Sequence, residues 1–170
     1  NISKTPKEDV YLLFDADEEG GGTGGKELIK TLGLNNARII VAEPTDRKIV
    51  LGHRGCLDLE IRVEGEEKHS AHADYAYNTL NNAIFKATNI CASLIKHAQD
   101  IETRYNPLLG KPTLNIGIIK GGKGANTVAG DCSISLSRRY IPDENLEDVM
   151  ESLRKAILTG GGRATRLWPI

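Results

Sequence analysis

Asp15, Asp17, Glu18 and Glu19 crowd acids at the end of an apolar run, Val10 to Phe14, and are followed at once by a glycine stretch, Gly20 to Gly25, broken only by Thr23. Crowded carboxylates raise one another's pKa unless a cation or a strong set of donors offsets the repulsion. A divalent metal ion is the commonest such offset, and a solvated acidic loop is the plain alternative. The glycines favour a site, because they open backbone conformations closed to other residues and let the chain approach a ligand closely. A second chemistry fits the same place: Gly20, four residues, Gly25 and Lys26 match the first seven positions of a phosphate-binding P-loop. Glu27 stands where a hydroxyl should hold magnesium, and the upstream acids would repel a triphosphate.

The elements that must carry these residues follow from periodicity. Residues 10–14 read as a strand, Leu28, Ile29 and Leu32 as a helix that Gly33 stops, and residues 38–41 as a second strand. The result is a βαβ fragment of a mostly parallel sheet, whose binding edge lies at the carboxyl ends of its strands. Both strands end in acid, the second at Glu43 before Pro44 and Thr45.

From Leu57 to Val63 apolar and charged residues alternate, which predicts a strand with one wet face. Leu80, Ala83, Ile84, Ala87, Cys91, Leu94, Ala98 and Ile101 form a helical stripe over residues 78–101. Strands are expected at 113–119 and 132–140, with Cys132, Ile134 and Leu136 on one face and Ser133, Ser135, Ser137 and Arg139 on the other. A helix over 144–158 turns Leu146, Val149, Met150, Leu153 and Ile157 inward, with Asp143 or Asn145 as its cap. The order βαββα, completed by a strand within 163–169, is the ferredoxin-like arrangement. The expected domains are therefore an α/β fragment over 1–54, an α+β ferredoxin-like domain over 55–158, and a tail or last strand over 159–170.

Composition bounds the partners. The 170 residues carry a net charge of -1, which points to neither nucleic acid nor an anionic membrane. No apolar run approaches the roughly 20 residues needed to span a bilayer, and residues 1–9 lack a signal-peptide core. Cys56, Cys91 and Cys132 form no CxxC pair, so a reducing cytoplasm is the simplest setting and all three read as buried structural thiols.

Five segments occur in an informative order: DEEGGGTGG from Asp17, Ala42 to Thr45, GEEKHSA from Gly65, GKGANTVAG from Gly122, and Arg139 to Pro142. Together they resemble the acetylornithine deacetylase and succinyl-diaminopimelate desuccinylase family of co-catalytic zinc amidohydrolases and peptidases. The resemblance implies Glu18 as general base, Glu19 and Glu43 as ligands of two zinc ions, with cobalt an alternative, and His69 as a lid histidine that steadies the oxyanion in the partner subunit's site. It further implies Asn126 and Arg139 as contacts to the substrate carboxylate, with Arg54 a weaker choice for that role. The implied substrate is an N-acyl amino acid or short peptide, and the implied assembly is a homodimer through the lid. Ala73 and Ala129 stand where the family tends to have proline, and the amino-terminal His-x-Asp segment, the bridging Asp and a carboxy-terminal histidine ligand have no counterpart. The chain thus matches the middle of a family member, and the expectation is a fragment that holds no pair of metals and turns over no substrate by itself.

Plainer readings stand beside these. His69 and His72 are spaced as a metal pair on a helix, although Ser70 and the missing apolar period favour a loop with His72 at the surface. His53 and His97 read as structural or solvated, and Arg138 and Arg139 as charges at a strand end. A non-catalytic dimerisation module is the alternative to an enzyme.

Overall fold

The computed structural model describes residues 9–16, 18, 22–33, 37–161 and 167–169. The chain divides into two compact units, residues 1–48 and 49–170.

In the first unit, helix α1 spans Thr23–Leu32 and ends at Gly33, whose left-handed φ of 60° lets its N–H reach back to the Ile29 and Lys30 carbonyls. The helix starts inside the glycine stretch rather than after it. The strands expected at 10–14 and 38–41 are not formed: neither segment belongs to a ladder, and Phe14 and Ile40 are 87% and 95% exposed. Two short parallel strands with open edges on both sides are marginal by themselves, so apolar β-rich sequence is not enough to pair them.

The second unit is a two-layer α+β body. Strands β1 (Gly55–Glu64), β3 (Thr113–Gly121), β5 (Asp131–Tyr140) and β6 (Leu167–Pro169) form one sheet in the order β3-β5-β1-β6, with β1 antiparallel to β5 and β6, and β3 antiparallel to β5. The short strands β2 (Lys68–His69) and β4 (Thr127–Val128) pair as a separate arm. The helices are α2 (Tyr75–Asn81), α3 (Ala83–Ile101) and α4 (Leu146–Thr159).

Alternation decides which face is covered. Leu59 lies opposite Leu136 and Ile61 opposite Ile134, and these four pack with Ile90 and Leu94 of α3 and Val149, Leu153 and Ile157 of α4. Truncating a fully buried leucine or isoleucine here costs about 2–5 kcal/mol. The opposite sheet face carries Asp58, Glu60 and Arg62 against Ser137, Ser135 and Ser133. Cys91 and Cys132 are buried, whereas Cys56 is exposed, because its parity places it on the Asp58 face.

The long helix expected over 78–101 is two helices. Asn82 adopts an extended conformation (φ -78°, ψ 111°) and its Oδ1 accepts the Ile84 and Phe85 N–H groups as the cap of α3. The break turns Leu80, expected inward, to 69% exposure, and the buried stripe starts at Ala83. Leu146 is likewise exposed, one residue after the Asn145 side chain caps α4. Among the described residues no helix is long and apolar enough to cross a membrane.

Candidate functional site

The acidic segment of the first unit folds back on the start of α1. A Cβ on Gly24 would lie 2.5 Å from the Ala16 carbonyl oxygen, and one on Gly25 3.1 Å from Asp15 Oδ2. The glycines therefore admit the chain's own acidic backbone, and the Asp15 carboxylate sits beside the helix start, where the dipole favours negative charge. Gly20 and Gly21 of the P-loop reading lie outside the described residues. Glu18 is exposed in a turn, and Asp17 and Glu19 lie outside the described residues. Glu43 is also exposed, ahead of a turn in which Thr45 Oγ1 donates to the Lys48 carbonyl at 2.7 Å and Asp46 and Arg47 take φ of 52° and 61°. Without the expected strand pair, no sheet edge joins Glu18 to Glu43. Among the described residues no group of three or more His, Cys, Asp or Glu side chains could hold a metal, so a two-metal centre does not fit the described part of the chain.

The second unit brings His69 and Asn126 together. His69 pairs with Thr127 across the arm, the Ser70 N–H donates to the Asn126 carbonyl at 2.9 Å, and both residues are exposed. His69 precedes a 3-10 turn, Ser70–His72, and its Nδ1 accepts the Ala71 N–H at 3.2 Å, which leaves Nε2 out of that bond. The His72 ring centroid lies 6.0 Å away. The metal pair on a helix does not arise, since His69 lies in a strand and His72 in a single turn.

Arg54 and Arg139 are grouped at the other end of the sheet. Arg139 pairs with Thr113 and with Cys56, and Arg54 donates to the Lys111 carbonyl at 2.7 Å and to Thr113 Oγ1 at 3.5 Å. From Asp131, beside the Asn126 loop, to Arg139 the strand rises about 26 Å at about 3.3 Å per residue. The candidate residues of the second unit thus form two clusters, one at each end of β5.

The reading of Arg138 as a plain charge at a strand end is overturned by its burial. Following Cys132, Ile134 and Leu136, Arg138 falls on the core face and is fully buried. Its Nη2 meets Glu144 Oε1 at 2.6 Å, and its Nη1 donates to the Arg139 carbonyl. The same Glu144 oxygen accepts Arg104 Nη1 at 2.6 Å, and Oε2 accepts the Ile141 N–H at 3.1 Å. Burial lowers the Arg138 pKa, and the Glu144 carboxylate works against that shift. Two-residue parity was the signal that could have found it. An open cavity of about 330 Å³ lies beside this corner, lined by Arg104, Tyr105, Ile141, Asp143, Glu144 and Asp148 among others.

The four-stranded antiparallel sheet with α3 and α4 on one face and a short arm beside it defines the second unit as an α+β domain of two layers. Residues 51–164 match the family described as the peptidase dimerisation domain. The chain belongs to this family, and its resemblance to the acetylornithine deacetylase group is borne out. The acetylornithine deacetylase of Edwardsiella ictaluri is 33% identical over 151 residues, 87% of this chain and 38% of the relative. That of Myxococcus xanthus is 33% identical over 161 residues, 89% of this chain and 40% of the relative. The chain spans about two fifths of the length of these curated relatives. The crystal structure of aminopeptidase PepT from Bacillus cereus is similar in fold, with a TM-score of 0.59 at 20% identity over 91% of this chain and 40% of that one.

Proposed function

We propose that this chain is part of a hydrolase that cleaves the acyl amide of N-acyl amino acids, N-acetylornithine among them, and that its second unit is a ferredoxin-like lid that couples two copies. The observation that carries this is the extent of the match. The Myxococcus xanthus deacetylase aligns with 89% of the chain, more than residues 51–164 can supply, so the likeness runs into the first fifty residues as well as through the lid.

In this reading Glu18 takes the proton of the attacking water and returns it to the leaving amine. His69, exposed on its arm, polarises the carbonyl in the partner subunit's site, with Asn126 beside it at the substrate carboxylate. Arg139, with Arg54 second, meets the same carboxylate from the other copy, because the two clusters lie at opposite ends of β5 and cannot reach one small molecule within a single copy. Two divalent ions, zinc or cobalt, belong to the reading with Glu19 and Glu43 among their ligands. The described residues alone supply too few donors for such a centre, and the other ligands would come from the parts of the whole enzyme that this chain does not span. Residues 10–14 and 38–41 would find their strand partners in the same parallel sheet.

Dimerisation through the second unit has its own support. Strand β3 is an edge with exposed Ile118 and Ile119, and beside it a groove of about 430 Å³ is lined by Ile95 and Ala98 of α3 and Leu114 and Ile116 of β3. An open edge next to an apolar groove suits a second copy added strand to strand and helix to helix.

The test compares the 170-residue chain with the whole enzyme on N-acetyl and N-succinyl amino acids in the presence of zinc or cobalt. Turnover by the whole enzyme only is expected. Steady turnover by this chain alone would refute the fragment reading, and an inert whole enzyme would refute the hydrolase reading.

A further inference from the structure

The arm that bears His69 is gripped from one side. Lys68 and His69 are consecutive in β2, so their side chains face opposite ways. Helix α2 takes the Lys68 side: the ammonium lies 4.2 Å from the centre of the Tyr77 ring, and burial together with the nearby Glu66 carboxylate raises the Tyr77 pKa. On the other side Glu67 pairs with Lys123 at 2.6 Å and His69 is left exposed. The base of the arm is knotted by backbone bonds. Gly65 N–H donates to the Gly130 carbonyl, Glu66 N–H to the Asn81 carbonyl and Ala83 N–H to the Ala129 carbonyl, at 2.8, 2.8 and 2.9 Å.

No residue of α2 is buried, so this helix is not part of the core. What it contacts through Tyr77 is the arm. Asp74 caps it by accepting the Tyr77 N–H at 2.8 Å, which sets Tyr77 in the first turn, over the strand.

We propose that Tyr77 is a positioning residue for His69: by holding Lys68 it fixes which face of the arm is turned to α2 and keeps the imidazole on the open face. The functional meaning rests on the role proposed for His69 above. The structural claim needs neither substrate nor metal, so an inert whole enzyme would leave it standing.

The experiment follows amide hydrogen exchange and the His69 imidazole signals by NMR in the 170-residue chain, with Tyr77→Leu and Tyr77→Phe. Tyr77→Leu should speed exchange of the Ser70 amide, which donates across the arm, by about tenfold or more and shift the His69 signals. Amides of β1 and β5 and the thermal midpoint should stay as in the parent. Tyr77→Phe keeps the ring beside Lys68 and should restore most of the protection. Unchanged Ser70 exchange in Tyr77→Leu, or an equal rise across β1 and β5, would overturn the proposal.

Discussion

Glu144 and Arg138 meet at 2.6 Å with side chains 3% and 0% exposed, at the corner where β5 gives way to α4. Removing one member of a buried pair leaves the other charged and dry. Arg138 Nε already lacks a partner, so Glu144→Ala should destabilise the second unit by about 3–5 kcal/mol in denaturant unfolding. Because the pair is shielded from ions, added salt should change that loss little. Arg104→Ala, at the half-exposed end of the same network, should cost no more than about 1 kcal/mol.

Gly65 admits no side chain. A Cβ there would lie 2.3 Å from the Asn81 carbonyl oxygen, 2.5 Å from that of Ala129 and 2.7 Å from the Ala83 nitrogen. All three are backbone atoms of the knot below the arm. Gly65→Ala should therefore cost about 1–3 kcal/mol and loosen the arm before the sheet, read as faster exchange at Ser70 than at Ile61. A variant as stable as the parent would show that the knot can shift at no cost.

His97 couples α3 to α4 through its Nε2, 3.5 Å from Ser152 Oγ. Burial lowers its pKa most. Arg138 and Arg104 lower it further, and Asp100 and Glu144 oppose them. A histidine whose folded pKa lies below its unfolded value holds its contribution above the unfolded pKa and loses it as pH falls through the folded one. Stability should therefore decline as pH drops below about 6.5, and His97→Gln should flatten that decline. Denaturant midpoints at neutral and mildly acidic pH measure it, and identical slopes for parent and variant would rule out His97 as the source.

If β3 is the coupling edge, a charge on it should separate the copies, since lysine is a common guard against edge pairing. Ile119→Lys should shift sedimentation of the chain from dimer to monomer with its circular dichroism unchanged. A parent that is monomeric at high concentration would remove the coupling role.

Legibility in the sequence followed the locality of each cause. The strict alternation around Leu59 and Ile61 and the stripe around Ile90 and Leu94 were readable because one face of each is packed and the other wet. The break at Asn82 was not readable, because its flanking backbone groups bond to Glu66 and Ala129, far away in sequence. The apolar runs at 10–14 and 38–41 looked like strands because composition reports strand preference, whereas pairing depends on neighbours. At the site, the order of motifs marked His69, Asn126 and Arg139, while Tyr77 was invisible because nothing in its own segment announces that it lies against Lys68. Arg138 carried a parity signal, two residues on from Leu136, that its charge and its place near a strand end masked.

The one-sided grip on the arm has a consequence for how this segment can vary. Between Gly65 and His69 a substitution removes at most one of the contacts that grip the arm, whereas inserting or deleting one residue would swap the imidazole with its neighbour and send it under α2. The spacing of this stretch is therefore held more strictly than its spelling.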